Sequence, residues 1–304
     1  MRRAPLHVAT HLAPGVLPAY ALAARFMGAW LHRPAELVVA ADYRRCAADV
    51  DHVCFVCSIP FLMLEASGRI QMEAAAAPVL RGKRYGGRPI YFSDVIVRSS
   101  SPATSFGDLR GGRWAYNEPY SHSGFMVVLH HLVATEAPDD FLGEWIEAGF
   151  HDESMRMVID GRADWTAIDS QVLAVWLRAI PSLRRRIRIV ATLGPSTVQP
   201  IVMSRRRLTQ AQRAALVMGL LSLSEVPSAA PILHAAGIDR FVRVETSDYD
   251  DIRTMLAAVR SAGMLPAWWD ERWRSELDGS AGEDQAWSTT GLTSPIQRSS
   301  VSSS

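Results

Sequence analysis

Short apolar runs alternate with segments of helical period along most of this chain. Leu6-His7-Val8-Ala9-Thr10 reads as a first strand, and Pro14, Gly15 and Pro18 then punctuate a turn. From Leu17 the apolar positions 17, 20, 21, 24, 27, 28 and 31 follow helical spacing and stop near Pro34. Strands are expected at Glu36 to Ala41 and Val53 to Val56, then at Pro89 to Arg98 after a Gly-rich turn, and at Trp114 to Tyr116. Helical periodicity returns over Phe125 to Val133, Glu153 to Asp160 and Gln171 to Arg178, and Phe141 to Ala148 is amphipathic. Further strands are expected at Trp165 to Ile168, Ile187 to Thr192 and Pro200 to Met203. Thr209 with Gln212 makes a capping box before a helix carrying Leu216, Leu220 and Leu223. Ser247 is placed to cap a last helix with Ile252, Met255, Leu256 and Val259 on its apolar face. Strands that are apolar on both faces and alternate with helices predict an α/β chain whose parallel sheets are covered on both sides.

The order of elements, βαβ then a middle block then a return, divides the chain into two lobes. Residues 1–95 with 199–275 form the first and 96–198 the second, and the Ser-rich stretch 276–304 is expected to be disordered. At 304 residues each lobe can bury its own core.

Composition narrows the function classes. With 48% hydrophobic and 21% charged residues and a net charge of +1, the chain is globular and lacks the strongly basic face of a nucleic-acid binder. Arg184-Arg185-Arg186 and Arg205-Arg206-Arg207 read as solvated strand ends. Met1-Arg2-Arg3 is followed by no continuous apolar run or cleavage site, so the reading as encoded is cytoplasmic, or periplasmic or surface-anchored if translation starts elsewhere. No run has the length to span a membrane, and direct membrane insertion is not expected. Three cysteines do not make a disulfide framework. Cys54-Phe55-Val56-Cys57 has redox or zinc spacing without a second pair, so a strand carrying small buried thiols is preferred, with a redox or metal role left open. His130-His131 point about 100° apart on one helix and are read as structural. No metal site or cofactor is assigned.

The candidate chemistry lies at Ser121-His122-Ser123-Gly124, which follows a strand and opens a helix. The first N–H groups of a helix have no internal partner and carry partial positive charge, and two hydroxyls beside them suit an oxyanion. A bare Ser N-cap is the plain alternative. His122 can contribute its backbone N–H alone. Asp169 follows a strand and precedes a helix, where it can meet a ligand or simply cap Gln171. Tyr43, with Phe55, Cys57 and Phe61, can wall an organic substituent or pack beneath the cleft. The sequence has no nucleophile elbow, Walker loop, dinucleotide fingerprint or H-E-x-x-H pattern, and no catalytic residue is assigned.

Ser121-His122-Ser123-Gly124, Asp108-Leu109-Arg110-Gly111 before it and Gly149-Phe150-His151 after it resemble the phosphate/phosphite/phosphonate-binding proteins of ABC transporters. Asp42-Tyr43, Gly161-Arg162-Ala163-Asp164 and Tyr249-Asp250-Asp251-Ile252-Arg253 fit the same pattern, over about Leu6 to Met264. The resemblance implies a two-lobed type II periplasmic-binding-protein fold with a hinge. It implies that Ser121, Ser123, Gly124 and His151 hold the phosphonate oxygens and that Tyr43 lines the ligand's other end. It implies a small oxyanion as ligand, an ABC permease as partner, and a monomer. Binders of aminoalkylphosphonates place an acid after the strand; here Gln171 stands there, with Asp169 two residues earlier. A cytoplasmic enzyme or a ligand sensor on the same fold is the alternative.

Overall fold

The structure is a computed structural model that describes residues 4–12, 14–40 and 42–278. Eleven strands run in chain order: β1 (Leu6–Thr10), β2 (Ala35–Val39), β3 (Val53–Phe55), β4 (Met72–Leu80), β5 (Ile90–Arg98), β6 (Trp114–Tyr116), β7 (Trp145–Glu147), β8 (Trp165–Asp169), β9 (Ile187–Thr197), β10 (Ile201–Ser204) and β11 (Ile238–Arg243). They form two sheets, one ordered β11-β4-β10-β3-β1-β2 and the other β7-β6-β8-β5-β9. The α-helices are α1 (Leu17–Trp30), α2 (Arg44–Ala47), α3 (Ser58–Ala66), α4 (Val127–Ala134), α5 (His151–Asp160), α6 (Ser170–Ala179), α7 (Gln210–Ser222), α8 (Ala230–Ala235), α9 (Asp250–Ser261) and α10 (Trp269–Asp278). The two-lobed α/β class expected from the sequence holds.

The sheets are mixed rather than parallel throughout. Parallel pairing is confined to β2-β1-β3 and β7-β6-β8. β4, β10 and β11 in one sheet and β5 and β9 in the other pair antiparallel, and β10 and β5 also join antiparallel to β3 and β8. β5 lies wholly in the second sheet, so the first crossing falls at residues 81–89 and not at residue 96. The return runs through residues 198–200, where Val198 N–H donates to the Pro89 carbonyl at 3.0 Å and ties the two crossings together.

Most helices follow from their pattern. The Thr209–Gln212 capping box is formed, with bonds of 3.2 and 2.9 Å, and Leu216, Leu220 and Leu223 are buried. Ser247 does not cap α9. A short 3₁₀ turn at Thr246–Tyr249, closed by a Glu245–Asp248 capping box, leads into it. Phe141 to Ala148 holds no helix and supplies edge strand β7 instead. β4, α3 and α10 carry no expectation from the sequence. Of the segment expected to be disordered, residues 276–278 end α10 and the remainder lies outside the described residues. Both arginine runs border strands: Arg184 and Arg185 end a 3₁₀ turn before β9, and Arg206 and Arg207, after β10, hold the Asp49 backbone carbonyl.

Candidate functional site

Ser121 begins a single π-helical turn, His122–Met126, that runs into α4. The turn closes with Met126 N–H on the Ser121 carbonyl at 3.0 Å, and the Ser121 hydroxyl accepts from Gly124 N–H at 3.1 Å. π-turns inside helices are rare and concentrate at functional sites, because the extra residue swings backbone and side chains out of regular register. Here it buries Ser121, His122, Ser123 and Gly124 together.

His151 opens α5 and meets this turn. Its Nε2 lies 3.2 Å from Ser123 Oγ, so the two segments singled out by sequence converge. Ser93 on β5 donates to the Ser123 carbonyl at 2.5 Å, which fixes the turn against the second sheet. Gly124 is required by close approach. A Cβ built there would stand 1.8 Å from Asn117 Oδ1 and 3.2 Å from His151 Cε1.

Several buried polar atoms around the turn have no hydrogen-bond partner: His151 Nδ1, Asn117 Oδ1, His122 Nδ1, Tyr91 Oη and Ser58 Oγ. Tyr91 sits beside Ser123 and 6.1 Å, ring to ring, from His122, while Ser58 follows the cysteine that touches the turn. Orphans also occur in the second lobe's interior, at Trp114, Trp165 and Thr166, so it is the clustering at one turn that is informative.

Burial sets the electrostatics. It pushes His151 down to about 4 and His122 down to about 3, so both rings are neutral near pH 7. The turn therefore offers neutral donors and a helix N-terminal dipole. A bound dianion would raise the His151 pKa and draw a proton to it.

The remaining sequence candidates take other roles. The His122 ring bonds to Ser196 Oγ at 2.8 Å, and its backbone N–H donates to Cys57 Sγ at 3.4 Å across the lobe boundary. Asp169 caps α6: Oδ1 accepts from Gln171 N–H at 2.7 Å and Val172 N–H at 3.3 Å, and Oδ2 accepts from Gln199 at 2.7 Å. Burial raises its pKa to about 6 even so. The Gln171 side-chain amide donates to the Ala236 carbonyl at 2.7 Å, in the other lobe. Tyr43 bonds outside the turn and lies beside Tyr120, the residue just before it, with ring centroids 6.5 Å apart. Its hydroxyl donates to Glu118 at 3.0 Å, and its ring packs on His11 and Trp273. Burial first, then the charge of Glu276, lifts Glu118 to about 8.

Tyr91, Ser93, Asn117 and Ser196 were not anticipated. Tyr91 and Ser93 share one face of β5, so two polar residues two apart in an apolar strand were the available signal. Asn117 sits in the short loop between β6 and the turn, whereas Ser196 reaches the His122 ring through pairing of β9 with β5 that no local pattern encodes.

Two α/β lobes joined by two crossings, with an oxyanion-suited turn buried between them, define a solute-binding protein of the periplasmic type. The chain belongs to the family described as ABC transporter, phosphonate, periplasmic substrate-binding protein, which matches residues 10–249. That is a family of binding proteins rather than enzymes. Among solved structures, a binding protein component of an ABC phosphonate transporter from Pseudomonas aeruginosa is 16% identical, covers 91% of this chain and 95% of its own, and superposes with a TM-score of 0.73. PhnD1 from Prochlorococcus marinus in complex with methylphosphonate is 15% identical, with 86% and 99% covered and a TM-score of 0.69. A Xanthomonas citri protein bound to ATP is 20% identical, with 85% and 98% covered and a TM-score of 0.60. A search of curated sequences finds no match. Among the described residues no helix is long and apolar enough to cross a membrane.

Proposed function

We propose that this chain binds a phosphate- or phosphonate-like oxyanion at the 121–124 turn and delivers it, as a monomer, to an ABC permease. The observation that carries this reading is the 3.2 Å approach of His151 Nε2 to Ser123 Oγ at a helix start, amid orphaned buried polar atoms. In this reading Ser123 and His151 hold the oxygens with Tyr91 beside them, and Ser121 acts through its cap on Gly124 N–H, which keeps the turn open without itself meeting the ligand. Hydrogen bonds to a charged oxygen are worth about 1.5–3 kcal/mol each, so a few of them suffice for micromolar binding near −8 kcal/mol.

The substituent carries no ammonium. Gln171, where aminoalkylphosphonate binders place an acid, gives its amide to Ala236, and both Asp169 oxygens already accept bonds. The protein releases the ligand unchanged.

Titration of methylphosphonate, phosphite, phosphate and 2-aminoethylphosphonate, followed by calorimetry or tryptophan fluorescence, tests the reading. Methylphosphonate is expected to bind in the micromolar range and the aminoalkyl ligand more weakly. Ser123→Ala should weaken binding about tenfold or more, from one lost charged hydrogen bond. Unchanged affinity in that variant would place the anion elsewhere, and conversion of bound ligand to a new product would make the protein an enzyme.

A further inference from the structure

The C-x-x-C spacing is not a pair. Cys57 turns toward the 121–124 turn, where it accepts from His122 N–H, while Cys54, inside β3, faces the other way. Residues three apart on extended backbone point to opposite faces, so the spacing that suggests a motif separates the thiols. The partner of Cys54 is Cys46, on the short helix α2, and the His11 ring comes from the residue just after β1. One ligand atom from each of His11, Cys46 and Cys54 lies within 4.8 Å of the others. All three cysteines are free and buried, and the Met72 thioether is 3.9 Å from Cys46 Sγ.

A second observation is independent of that clustering. His11 Nε2 is buried with no hydrogen-bond partner. The ring is hydrogen-bonded to the backbone of Asp42 and lies flat on Tyr43, with centroids 5.1 Å apart and planes 13° apart. With Nε2 unpartnered, the Asp42 bond falls to Nδ1–H, which leaves the Nε2 lone pair free. A metal-ligating histidine is oriented in this way, its other N–H given to a carbonyl.

We propose that His11, Cys46 and Cys54 form a binding site for a soft divalent cation of the zinc class, separate from the oxyanion turn. Two sulfurs and an imidazole are the donor set such a cation selects, and two thiolates balance its charge in a buried place. Loading forms two metal–sulfur bonds and one metal–nitrogen bond, and both thiol protons leave to solvent. No electrons move.

The test uses the full chain, reduced, with three thiols counted after unfolding, and Co²⁺ as the spectroscopic probe. The expected result is one equivalent bound with a thiolate-to-cobalt charge-transfer band, two protons released, and displacement by Zn²⁺. Cys46→Ser and Cys54→Ser should abolish the band, Cys57→Ser should keep it, and His11→Gln should weaken binding at least about tenfold. Absence of the band in the reduced native chain overturns the proposal, and that measurement needs no variant to fold. So does a band that survives both Cys46→Ser and Cys54→Ser, or one that disappears only in Cys57→Ser.

Discussion

A methyl group on residue 124 has no room. Its carbon would stand 1.8 Å from Asn117 Oδ1, on a side chain with two torsions, and 3.2 Å from the His151 ring. Gly124→Ala should therefore cost about 1–3 kcal/mol by overpacking, seen as a lower urea midpoint, and should also displace the groups proposed to hold the anion. A variant as stable and as tight-binding as the native chain would mean that the cradle is looser than drawn. Glu118 offers a second handle at this scale. Its carboxyl, lifted to about 8 by burial and the Glu276 charge, binds a proton in the folded chain that it loses near 4.5 when unfolded. Its favourable contribution is full below about pH 4.5 and is lost as pH rises through about 8. Gln cannot titrate, so Glu118→Gln should gain on the native chain across that window, on the order of 2–4 kcal/mol by pH 9. Chemical denaturation at pH 5 and pH 9 checks the sign. An equal difference at both pH values would show that Glu118 ionises as freely as in water.

Among the elements, α10 has the largest consequence for the site's surroundings. Trp269 is fully buried, with Nε1 donating to the Pro119 carbonyl at 2.8 Å, and its own carbonyl accepts from Tyr120 at 3.3 Å. Arg272 makes two 2.6 Å bonds to Glu147 in the second lobe, while Trp273 packs on Tyr43 beside α2 in the first. The helix thus straps both lobes. Trp269→Ala should lower unfolding free energy by about 3–5 kcal/mol, measured by urea denaturation, and an unchanged midpoint would reduce α10 to an appendage. Neither this helix nor β4 was legible in the sequence. α10 reads Trp-Asp-Glu-Arg-Trp-Arg-Ser-Glu-Leu-Asp, a charged run with two buried anchors, next to a Ser-rich end. β4 holds four consecutive alanines and Pro78, which local preference assigns to a helix or a break. Pairing with β10 and β11 on its two sides overrides that preference. The 121–124 turn was legible because Ser121 acts on the backbone of its own segment, at Gly124 N–H. Tyr91 and Ser196 were not, since only the assembled sheet brings them there.

At the scale of the whole molecule, the two lobes are joined by residues 81–89 and 198–200, and the second crossing carries Gln199. That side chain donates to Asp169 Oδ2 at 2.7 Å, while Asp169 Oδ1 caps α6 of the second lobe. The lobe angle is thereby coupled to a buried carboxylate, and Gln171 adds a bond from α6 to Ala236 in the first lobe. These bonds hold the lobe arrangement of this structure without touching the 121–124 turn. Removing one should shift the population toward open forms, and apparent affinity falls in proportion to the closed fraction. One hydrogen bond is worth about 1 kcal/mol, so Gln199→Ala should weaken methylphosphonate binding roughly fivefold and enlarge the ligand-free radius of gyration in solution scattering. Saturating ligand should return the scattering curve to that of the native chain, because bound ligand selects the closed form. A loss of affinity with no change in scattering would make Gln199 a ligand contact, and no change in either would release the crossing from any part in closure.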